Sequence, residues 1–517
     1  MSDPFYITTA INYPNGRPHI GHAYEAIAAD VIARFQRLRG RDVRFQTGTD
    51  EHGLKMARKA EDQGVTPREL ADEMSGHFRA MDDALNISYD RFIRTVEPEH
   101  HAASRAIWSA METKGDLYLD RYEGWYSVRD EAYYDESETS LQEDGTRLSP
   151  QGTPVEWTVE ESWFFRLSNY AEPILELLRT PGFLEPESRR NEMIAFVEGG
   201  LRDLSVSRTS FDWGVKVPGS DTHVMYVWVD ALTNYLTGLG YPEKTEEWNR
   251  FWPADLHLIG KDIVRFHTVY WPAFLMSANL PLPKKVFGHG FILNRGQKES
   301  KSLGNVTDPL ALAEEFGVDN LRYFLMREVA FGQDGSYSAE AIVTRCNAEL
   351  ANSFGNLVQR SLSMLHKNMQ GELKPFSPDQ EDAALLAQVR GACDKALPKA
   401  FEELDFSQGI EAWIEAVWAC NRYVDEQAPW ALRKTDPERM EVVLLTLFKA
   451  IRDLAMAIQP VVPDKAAQVL DLVGIPQDER DYAHIADDDW YERRLAGAAL
   501  EKPTPIFPRL ELTEEAA

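Results

Sequence analysis

The chain has 517 residues, of which 83 are acidic and 55 are basic, so its formal net charge is −28. A chain of this charge repels polyanions on average, which excludes nucleic-acid binding by general attraction and leaves only local basic surfaces and specific contacts. No apolar run of about 18 residues occurs and no signal region is evident, so we expect a cytoplasmic protein without a membrane span. The three cysteines form no C-x-x-C pair, which predicts reduced thiols rather than disulfides.

The first 115 residues predict a βαβ unit. Residues 5–11 (FYITTAI) are typical of a buried strand, and after a Gly/Pro/Asn-rich loop an apolar periodicity from about Ile20 to Leu38 predicts a helix that ends at Gly40. Residues 43–50 (VRFQTGTD) predict a second strand. Such a unit implies a parallel sheet with ligand sites at the carboxyl ends of its strands.

The pattern of residue types changes several times in the rest of the chain. Residues 116–222 alternate aromatic runs with turn residues, which favours an α+β insertion, and strand–helix patterns resume over 223–295. Residues 296–345 begin with a Gly-flanked loop rich in lysine and serine, and residues 346–517 carry the long apolar-periodic segments typical of a helical bundle. The sequence therefore predicts an α/β protein, with a Rossmann-like parallel-sheet domain whose halves, 1–115 and 223–295, flank the insertion, followed by an all-α domain.

The loop after the first predicted strand contains His19-Ile20-Gly21-His22. A helix N-terminus offers N–H groups to an anion, and two imidazoles add donors that suit a phosphate. Gly21 has no side chain, so a flat ring can approach the backbone there. Two loop histidines satisfied by carbonyl groups would explain the same residues equally well, so this motif alone does not decide the function.

A second motif, Lys298-Glu299-Ser300-Lys301-Ser302, lies in the Gly-flanked loop. Lysines, hydroxyls and glycines suit a loop that closes on a polyphosphate. A short run of lysine and serine is more often a solvated turn, and on its own this motif favours that interpretation.

The two motifs together are far more specific than either one. H-x-G-H opens the first half of a split parallel sheet and K-x-S-K-S follows the second half, and in this order they resemble the HIGH and KMSKS signatures of class I aminoacyl-tRNA synthetases. The resemblance extends to the methionyl-tRNA synthetases in particular, through segments that span most of residues 5–435: ITTAINYPNGRPHIGHAYE, TGTDEHG, MYVWVDAL, IGKDIVRFHTVYWPA and CNRYVDEQAPW.

This resemblance implies a two-step reaction, in which L-methionine is activated with ATP and the methionyl group is then moved to tRNA(Met). Mg²⁺ is implied to accompany ATP, held mainly by phosphate oxygens and water, without a dedicated metal site in the protein. The implied catalytic residues around the phosphates are His19, His22, Lys298 and Lys301. The implied ATP-binding residues are His19, Gly21, His22, Lys261, Asp262, Lys298, Ser300 and Lys301.

For methionine, the resemblance implies that Asp50 binds the ammonium group, and the position of Asp50 at the carboxyl end of a predicted strand suits that role. Aromatic rings also suit a thioether sulfur. The implied walls of the side-chain pocket are Ile11, Tyr13, Trp228, Ala231, Leu232, Tyr235 and His267. Without the resemblance, Trp228 and Tyr235 would be interpreted as ordinary core aromatics.

The helical region is implied to read the anticodon of the tRNA. Single-stranded bases are recognised by stacking and by hydrogen bonds to their edges, and the implied anticodon-binding residues are Asn356, Arg360 and Trp430. The spacing of Asn356 and Arg360 places both on one helix face. A packed tryptophan beside a surface Asn/Arg pair is the alternative interpretation. The chain ends soon after the bundle, and we expect a monomer.

Two positions depart from the family pattern. The second residue of the KMSKS signature is usually apolar, whereas here it is Glu299, which weakens the local positive field and puts the rate in doubt more than the activity. Some relatives hold zinc in the insertion through cysteines, whereas the matching positions here are Ser127 to Asp130 and Ser149. Because thiolates are absent, we expect no structural zinc.

Four other functions remain possible from the sequence. Synthetases for isoleucine, valine and leucine carry an editing domain larger than this insertion, and a cysteine-specific relative would need a zinc site. A small-molecule nucleotidyltransferase shares H-x-G-H but does not need the helical domain with Trp430. A non-enzymatic RNA-binding paralogue is the alternative that Glu299 suggests.

Overall fold

The computed structural model describes residues 2–129, 132–294, 296, 307–485, 487, 489–495 and 499–512. Its N-terminal part alternates strands and helices as far as Lys114. The elements in chain order are β1 (Pro4–Thr9), α1 (Ile20–Leu38), β2 (Asp42–Thr49), α2 (Leu54–Gln63), α3 (Pro67–Ala84), β3 (Arg91–Arg94) and α4 (Pro98–Lys114).

The next part of the chain forms short strands around one long hairpin. Its elements are β4 (Leu117–Ser127), β5 (Ala132–Tyr134), β6 (Ser140–Leu141), β7 (Arg147–Leu148), β8 (Glu156–Phe165), α5 (Ala171–Arg179), β9 (Leu184–Glu185), α6 (Glu187–Glu198), β10 (Leu204–Ser205), β11 (Ser207–Arg208) and β12 (Val224–Met225). β4 and β8 pair antiparallel along most of their length, and with β5 and β10 they form a four-stranded sheet in the order β10-β8-β4-β5.

Strand–helix alternation then resumes. The elements are α7 (Val227–Thr237), α8 (Glu246–Phe251), β13 (Leu256–Gly260), a π-helical turn (Phe266–Tyr270), α9 (Trp271–Ser277), β14 (Val286–His289), β15 (Ile292–Asn294), α10 (Pro309–Phe316), α11 (Val318–Glu328) and β16 (Gly335–Tyr337).

The C-terminal part is helical. Its elements are α12 (Ala339–Cys346), a π-helical segment (Asn347–Gly355), α13 (Asn356–Met369), α14 (Gln380–Arg390), a second π-helical segment (Gly391–Ala396), α15 (Leu397–Glu402), α16 (Phe406–Gln427), α17 (Pro429–Thr435), α18 (Pro437–Ile458), α19 (Pro463–Leu472) and α20 (Trp490–Arg494). Within the described part of the chain, no helix is long and apolar enough to span a bilayer.

The central sheet is six-stranded and parallel throughout, in the order β3-β2-β1-β13-β14-β9. The chain builds outward from β1 to β3 and later returns to the middle at β13, which β14 follows outward on the other side, next to the edge strand β9 laid down earlier in the chain. The topological switch point, where ligands bind in such sheets, therefore lies between the carboxyl ends of β1 and β13. The predicted fold class is confirmed: a Rossmann-like parallel sheet followed by an all-α region. The edge strand β9 comes from the segment predicted as insertion.

The helix α1 is buried on nearly all sides, because it lies between the sheet and the helical region. Its alanines and isoleucines share one core with α11, α16 and α18. At the centre of this contact lies the fully buried Arg322 of α11. Arg322 donates to the Asp30 carboxylate of α1 at 2.6 Å and to the carbonyls of Pro460 and Val461, between α18 and α19, at 2.9 and 3.0 Å. A buried charge is stable only when it is paired in this way, so the contact fixes α1 against the helical region.

Candidate active site

The loop that follows β1 brings the H-x-G-H motif to the switch point. β1 ends at Thr9, and α1 begins at Ile20, directly after His19. The loop after the neighbouring strand β13 begins with Lys261. Both loops therefore open at the same edge of the sheet, beside the N-terminus of α1, where the helix dipole favours an anion.

His19 and His22 cap the N-terminus of α1 reciprocally. The ring Nδ1 of His19 accepts from the backbone N–H of Gly21 at 3.1 Å, and the backbone N–H of His19 donates to Nδ1 of His22 at 3.1 Å. The two ring centroids lie 3.8 Å apart. Since each Nδ1 accepts a hydrogen bond, each neutral ring carries its hydrogen on Nε2. The two caps thus fix each ring in the tautomer whose N–H group is at Nε2, the ring nitrogen that does not bond to the backbone.

Gly21 permits this arrangement. A β-carbon added at Gly21 would lie 2.9 Å from Cε1 of His19. Real β-carbons do not approach another carbon so closely, so a side chain here would displace the His19 ring. The sequence analysis expected that a flat ring can approach the backbone at Gly21, and in the structure the His19 ring lies against it.

Lys298, Ser300 and Lys301, predicted to bind phosphate, lie outside the described residues. The residues on either side of this loop are described: Asn294, at the end of β15, donates to the hydroxyl of Thr307 at 3.2 Å. Upstream, the buried His289 at the end of β14 contacts Glu25 of α1 through Nε2 at 2.8 Å. The strand β14, which precedes β15 and the lysine-rich loop, is therefore joined to α1, the helix that carries the H-x-G-H motif.

Lys261 and Asp262 follow β13 at the switch point. The Nζ of Lys261 lies 2.7 Å from each carboxylate oxygen of Asp334 and 4.5 Å from the ring centroid of Phe291. The Asp262 carboxylate turns back toward Gly260, where a β-carbon would lie 2.8 Å from Oδ1. Both residues lie beside the H-x-G-H loop in the sheet order, and Lys261 is already engaged in an ion pair.

Asp50 lies directly after β2, and its side chain is buried. The loops after β1 and β2 are tied together, since the N–H of Asp50 donates to the carbonyl of Asn12 at 2.9 Å and the N–H of Asn12 donates to the carbonyl of Gly48 at 2.8 Å. Asp50 is thereby brought to the loop that carries Ile11 and Tyr13. Tyr13 packs against the small buried cluster around Met56 and Ala60, and its ring centroid lies 5.0 Å from the Nζ of Lys55.

The remaining predicted pocket residues lie on α7 and the neighbouring π-helical turn. Tyr235 donates its hydroxyl hydrogen to Nε2 of His267 at 2.6 Å, and Nδ1 of His267 contacts the carbonyl of Ile263 at 3.0 Å. The ring of Trp228 lies 6.2 Å from that of His267. Ala231 and Leu232, on the same helix, are buried. The structure thus brings Trp228, Tyr235 and His267 together.

Phe266 was missed by the sequence analysis. Its ring stacks on that of Trp228, with centroids 3.7 Å apart and planes 5° from parallel. Helical periodicity could not find it, because the π-helical turn changes the number of residues per turn just where Phe266 and His267 lie.

The buried His267 makes the stability of the fold depend on pH. Burial lowers the pKa of His267 to about 4, although its hydrogen bond to Ile263 acts in the opposite direction. The unfolded chain binds this proton near pH 6.5, so we expect the free energy of unfolding to fall as the pH decreases from about 6.5 to about 4, by on the order of 3 kcal/mol. Urea unfolding across this range measures the loss.

The matched control for this pH dependence is His267→Gln, which keeps polar groups but does not titrate. Its free energy of unfolding should depend less steeply on pH over the same range. An identical slope in the two proteins would contradict the assignment to His267.

Two of the predicted anticodon residues, Arg360 and Trp430, lie close together in the helical region. The guanidinium of Arg360 lies 5.3 Å from the ring centroid of Trp430, and its Nη2 donates to Asp425 of α16 at 2.7 Å. Trp430 is 50% exposed, unusual for a tryptophan. Asn356 is exposed one helical turn before Arg360 and lines a cavity of about 450 Å³. Asp425 was not predicted, although it lies within the segment CNRYVDEQAPW.

In the hairpin region lie Ser127 and Ser149, the positions that the sequence analysis compared with the cysteines of zinc-binding relatives. The hydroxyl of Thr153 lies 2.7 Å from that of Ser127 and 2.8 Å from that of Ser149, and all three side chains are buried. Among the residues that the structure describes, no three histidine, cysteine, aspartate or glutamate side chains gather as a metal site.

A parallel sheet with an H-x-G-H loop at its switch point and a helical region behind it is the architecture of the class I aminoacyl-tRNA synthetases. A family model described as "tRNA synthetases class I (M)" matches residues 5–362, and one described as "Anticodon binding domain of methionyl tRNA ligase" matches residues 376–517. The chain belongs to the methionyl-tRNA synthetase family.

Individual relatives match over almost the whole chain. A methionine–tRNA ligase of Brucella suis biovar 1 (strain 1330) is 56% identical, covering 99% of each protein. The crystal structure of Mycobacterium tuberculosis methionyl-tRNA synthetase in its apo form has a TM-score of 0.88 and 51% identity, covering 99% of each chain. The same enzyme in complex with methionyl-adenylate has a TM-score of 0.94 and 54% identity, covering 98% of this chain and 100% of that one.

Proposed function

We propose that this chain is a methionine–tRNA ligase. It activates L-methionine with ATP to methionyl-adenylate and pyrophosphate, and then transfers the methionyl group to the 3′ end of tRNA(Met) for translation. The observation that carries the proposal is the full-length likeness, at 54% identity and a TM-score of 0.94, to a structure that holds methionyl-adenylate. The position of the H-x-G-H loop at the switch point of the sheet supports it independently.

The first step needs positioning rather than a general base. The methionine carboxylate is already ionised near neutral pH, so it attacks the α-phosphorus directly, and the charge on the phosphates must be stabilised. The proposed donors are the Nε2–H groups of His19 and His22, at the start of α1. Mg²⁺ accompanies ATP and supplies charge neutralisation on its phosphates, as it does in phosphoryl transfer generally.

The lysine-rich loop completes the proposed phosphate site. Lys298, Ser300 and Lys301 bind the β- and γ-phosphates in this proposal, and Glu299 beside them weakens the local positive field. The ion pair of Lys261 with Asp334 holds Lys261 near the start of the neighbouring loop. Asp262, the next residue, is proposed to contact the nucleotide.

The proposed methionine pocket has a charged end and an apolar end. Asp50 binds the ammonium group at the carboxyl end of β2. The rings of Tyr13, Trp228 and Tyr235 and the imidazole of His267 surround the thioether, with Ile11, Ala231 and Leu232 completing the wall. Because Nε2 of His267 accepts from Tyr235, and burial holds the pKa of His267 at about 4, the pocket presents a neutral imidazole to an uncharged side chain.

The experiment that tests the proposed function is ATP–pyrophosphate exchange driven by single amino acids. Exchange with methionine but not with isoleucine or cysteine supports it, and aminoacylation of tRNA(Met) but not of other tRNAs completes the test. Tight tRNA binding without exchange would instead favour a non-enzymatic RNA-binding protein. Exchange without any transfer to tRNA would favour a small-molecule nucleotidyltransferase.

Trp430→Ala is expected to lower kcat/KM for tRNA aminoacylation by about 10- to 100-fold and to leave methionine-dependent pyrophosphate exchange unchanged. A base stacked on an aromatic ring contributes about 1–3 kcal/mol, and exchange does not require tRNA. Steady-state aminoacylation and exchange rates on the same preparation measure the difference.

The matched control is Trp430→Phe, which keeps an aromatic face and should retain most of the aminoacylation rate. Equal losses of exchange and aminoacylation in Trp430→Ala would show that the ring is needed for folding instead.

Several finer features belong to the same proposal. They are a metal-free insertion, a monomeric state, a cytoplasmic location, and domain boundaries near residues 115, 222, 295 and 345.

A further inference from the structure

A fully buried carboxylate, Asp230 of α7, lies between two histidines from distant parts of the chain. Its Oδ2 lies 2.5 Å from Nδ1 of His52, in the loop after β2, and its Oδ1 lies 2.6 Å from Nε2 of His100, on α4. The side chains of Asp230 and His100 have no exposed surface, and that of His52 is 2% exposed. Charged groups are rarely placed so deep unless they are paired.

Hydrogen bonds engage both ring nitrogens of His100. The Asp230 carboxylate accepts from Nε2 of His100 at 2.6 Å. The Nδ1 of the same ring lies 3.0 Å from the hydroxyl of Thr237, which in turn lies 3.1 Å from the carbonyl of Thr233. Burial would raise the pKa of Asp230, but the two histidines outweigh it and lower that pKa.

The cluster joins the two walls of the proposed methionine pocket. His52 follows Asp50 by two residues, and the backbone around it is held by Trp213, whose Nε1 donates to the carbonyl of Glu51 at 2.6 Å and whose carbonyl accepts from the N–H of Gly53 at 3.2 Å. Asp230 lies on α7 between Trp228 and Ala231. The His52–Asp230 hydrogen bond thus connects the loop that carries the ammonium partner to the helix that carries the aromatic wall.

We infer that Asp230, through His52, is a positioning residue for methionine: it sets the spacing between the Asp50 loop and α7, and hence the affinity for the amino acid. The inference rests on the proposed function. Neither residue touches the reacting atoms in this account. Among the described residues, the carboxylate of Asp230 is hydrogen-bonded to His52 and His100, which lie outside the nucleotide loops after β1 and β13. We therefore expect an effect on methionine and not on ATP.

Packing alone does not explain the cluster. An apolar pair of the same volume would fill the space at no electrostatic cost, whereas a buried carboxylate must be compensated by hydrogen bonds and is strongly destabilising when a partner is lost. Hydrogen bonds to a carboxylate are directional. Each oxygen of Asp230 holds one histidine at a defined distance, and together the two bonds fix the position of α7 relative to His52 and His100.

The test compares His52→Ala with His52→Asn in methionine-dependent pyrophosphate exchange. The amide of asparagine lies where Nδ1 of histidine lies and can still donate to Asp230, whereas alanine cannot. His52→Ala should raise the KM for methionine by about 10- to 100-fold, the cost of a hydrogen bond to a charged group, with KM for ATP and kcat within about twofold. His52→Asn should restore most of the affinity.

Should His52→Ala fail to fold, His52→Gln replaces it, because its longer side chain keeps the polarity and volume but moves the amide away from Oδ2 of Asp230. The control is Asp382→Asn, which disrupts another fully buried carboxylate, bonded to Tyr423 and Arg439 in the helical region. It should leave the KM for methionine unchanged, which separates positioning from general destabilisation.

An unchanged KM for methionine in folded His52→Ala, or equal increases in KM for methionine and ATP, would overturn the inference while leaving the proposed function intact. Failure of His52→Asn to restore affinity would overturn it as well. If the unaltered protein shows no methionine-dependent exchange, the proposed function falls and this inference falls with it.

Discussion

Replacing His22 with asparagine is expected to lower kcat of pyrophosphate exchange by about 100- to 1000-fold, the usual loss when one donor to a developing charge is removed. The side-chain oxygen of asparagine lies where Nδ1 of His22 lies, so it still accepts from the N–H of His19 and preserves the start of α1. What disappears is the donor at Nε2. Because that donor acts on the phosphates in our proposal, KM for methionine should stay the same.

The complementary variant is His22→Gln, whose amide nitrogen reaches the place of Nε2 but leaves the N–H of His19 without its acceptor. It should exchange faster than His22→Asn while unfolding at a lower urea concentration. If His22→Asn exchanges at the rate of the unaltered protein, then the Nε2–H of His22 is not a catalytic donor.

Replacing Asp50 with asparagine is expected to raise the KM for methionine by about 100-fold or more. The two side chains have nearly the same shape, so the change removes the negative charge and replaces one acceptor oxygen with a donor NH2 group. An ammonium group paired with a buried carboxylate is worth about 2–5 kcal/mol by truncation, and Asp50 is only 7% exposed. KM for ATP should change little, because Asp50 lies at the carboxyl end of β2, on the side of β1 away from β13. Exchange kinetics with each substrate varied in turn measure both constants.

A methionine analogue without the amino group provides the matched control for Asp50. It has no ammonium to pair, so its inhibition constant should be nearly the same for the unaltered protein and for Asp50→Asn. A large loss of affinity for this analogue in the variant would mean that Asp50 supports the pocket walls rather than the ammonium group.

The helix and strands at the site could be predicted from the sequence, because the residues of each element carry its hydrophobic pattern by themselves. The apolar periodicity placed α1 at Ile20 to Leu38, as the structure has it, with the H-x-G-H motif at its start. The apolar runs placed β1 and β2 to within two residues at their ends. The edge strand β9 was not predicted, because its two residues are too few to show any periodicity.

The contacts between segments that are distant in the chain could not be predicted from the sequence. Asp230 meets residues 178 and 130 positions earlier in the chain, and no local pattern marks such a meeting. The stacking of Phe266 on Trp228 depends on a π-helical turn, whose extra residue per turn cannot be read from apolar spacing. The tautomers of His19 and His22 follow from backbone geometry at a helix cap, which residue types alone do not fix.

The contact of Arg322 with Asp30 has a consequence for any attempt to shorten the protein. Residues 376–517 supply the carbonyls of Pro460 and Val461 that hold the guanidinium. A fragment ending near residue 362 would lack both carbonyls. The guanidinium of Arg322 would then be exposed to water beside α1, the helix whose first turn carries the H-x-G-H motif. We therefore do not expect such a fragment to be a stable, active enzyme, because the C-terminal helical region also stabilises the region that binds ATP.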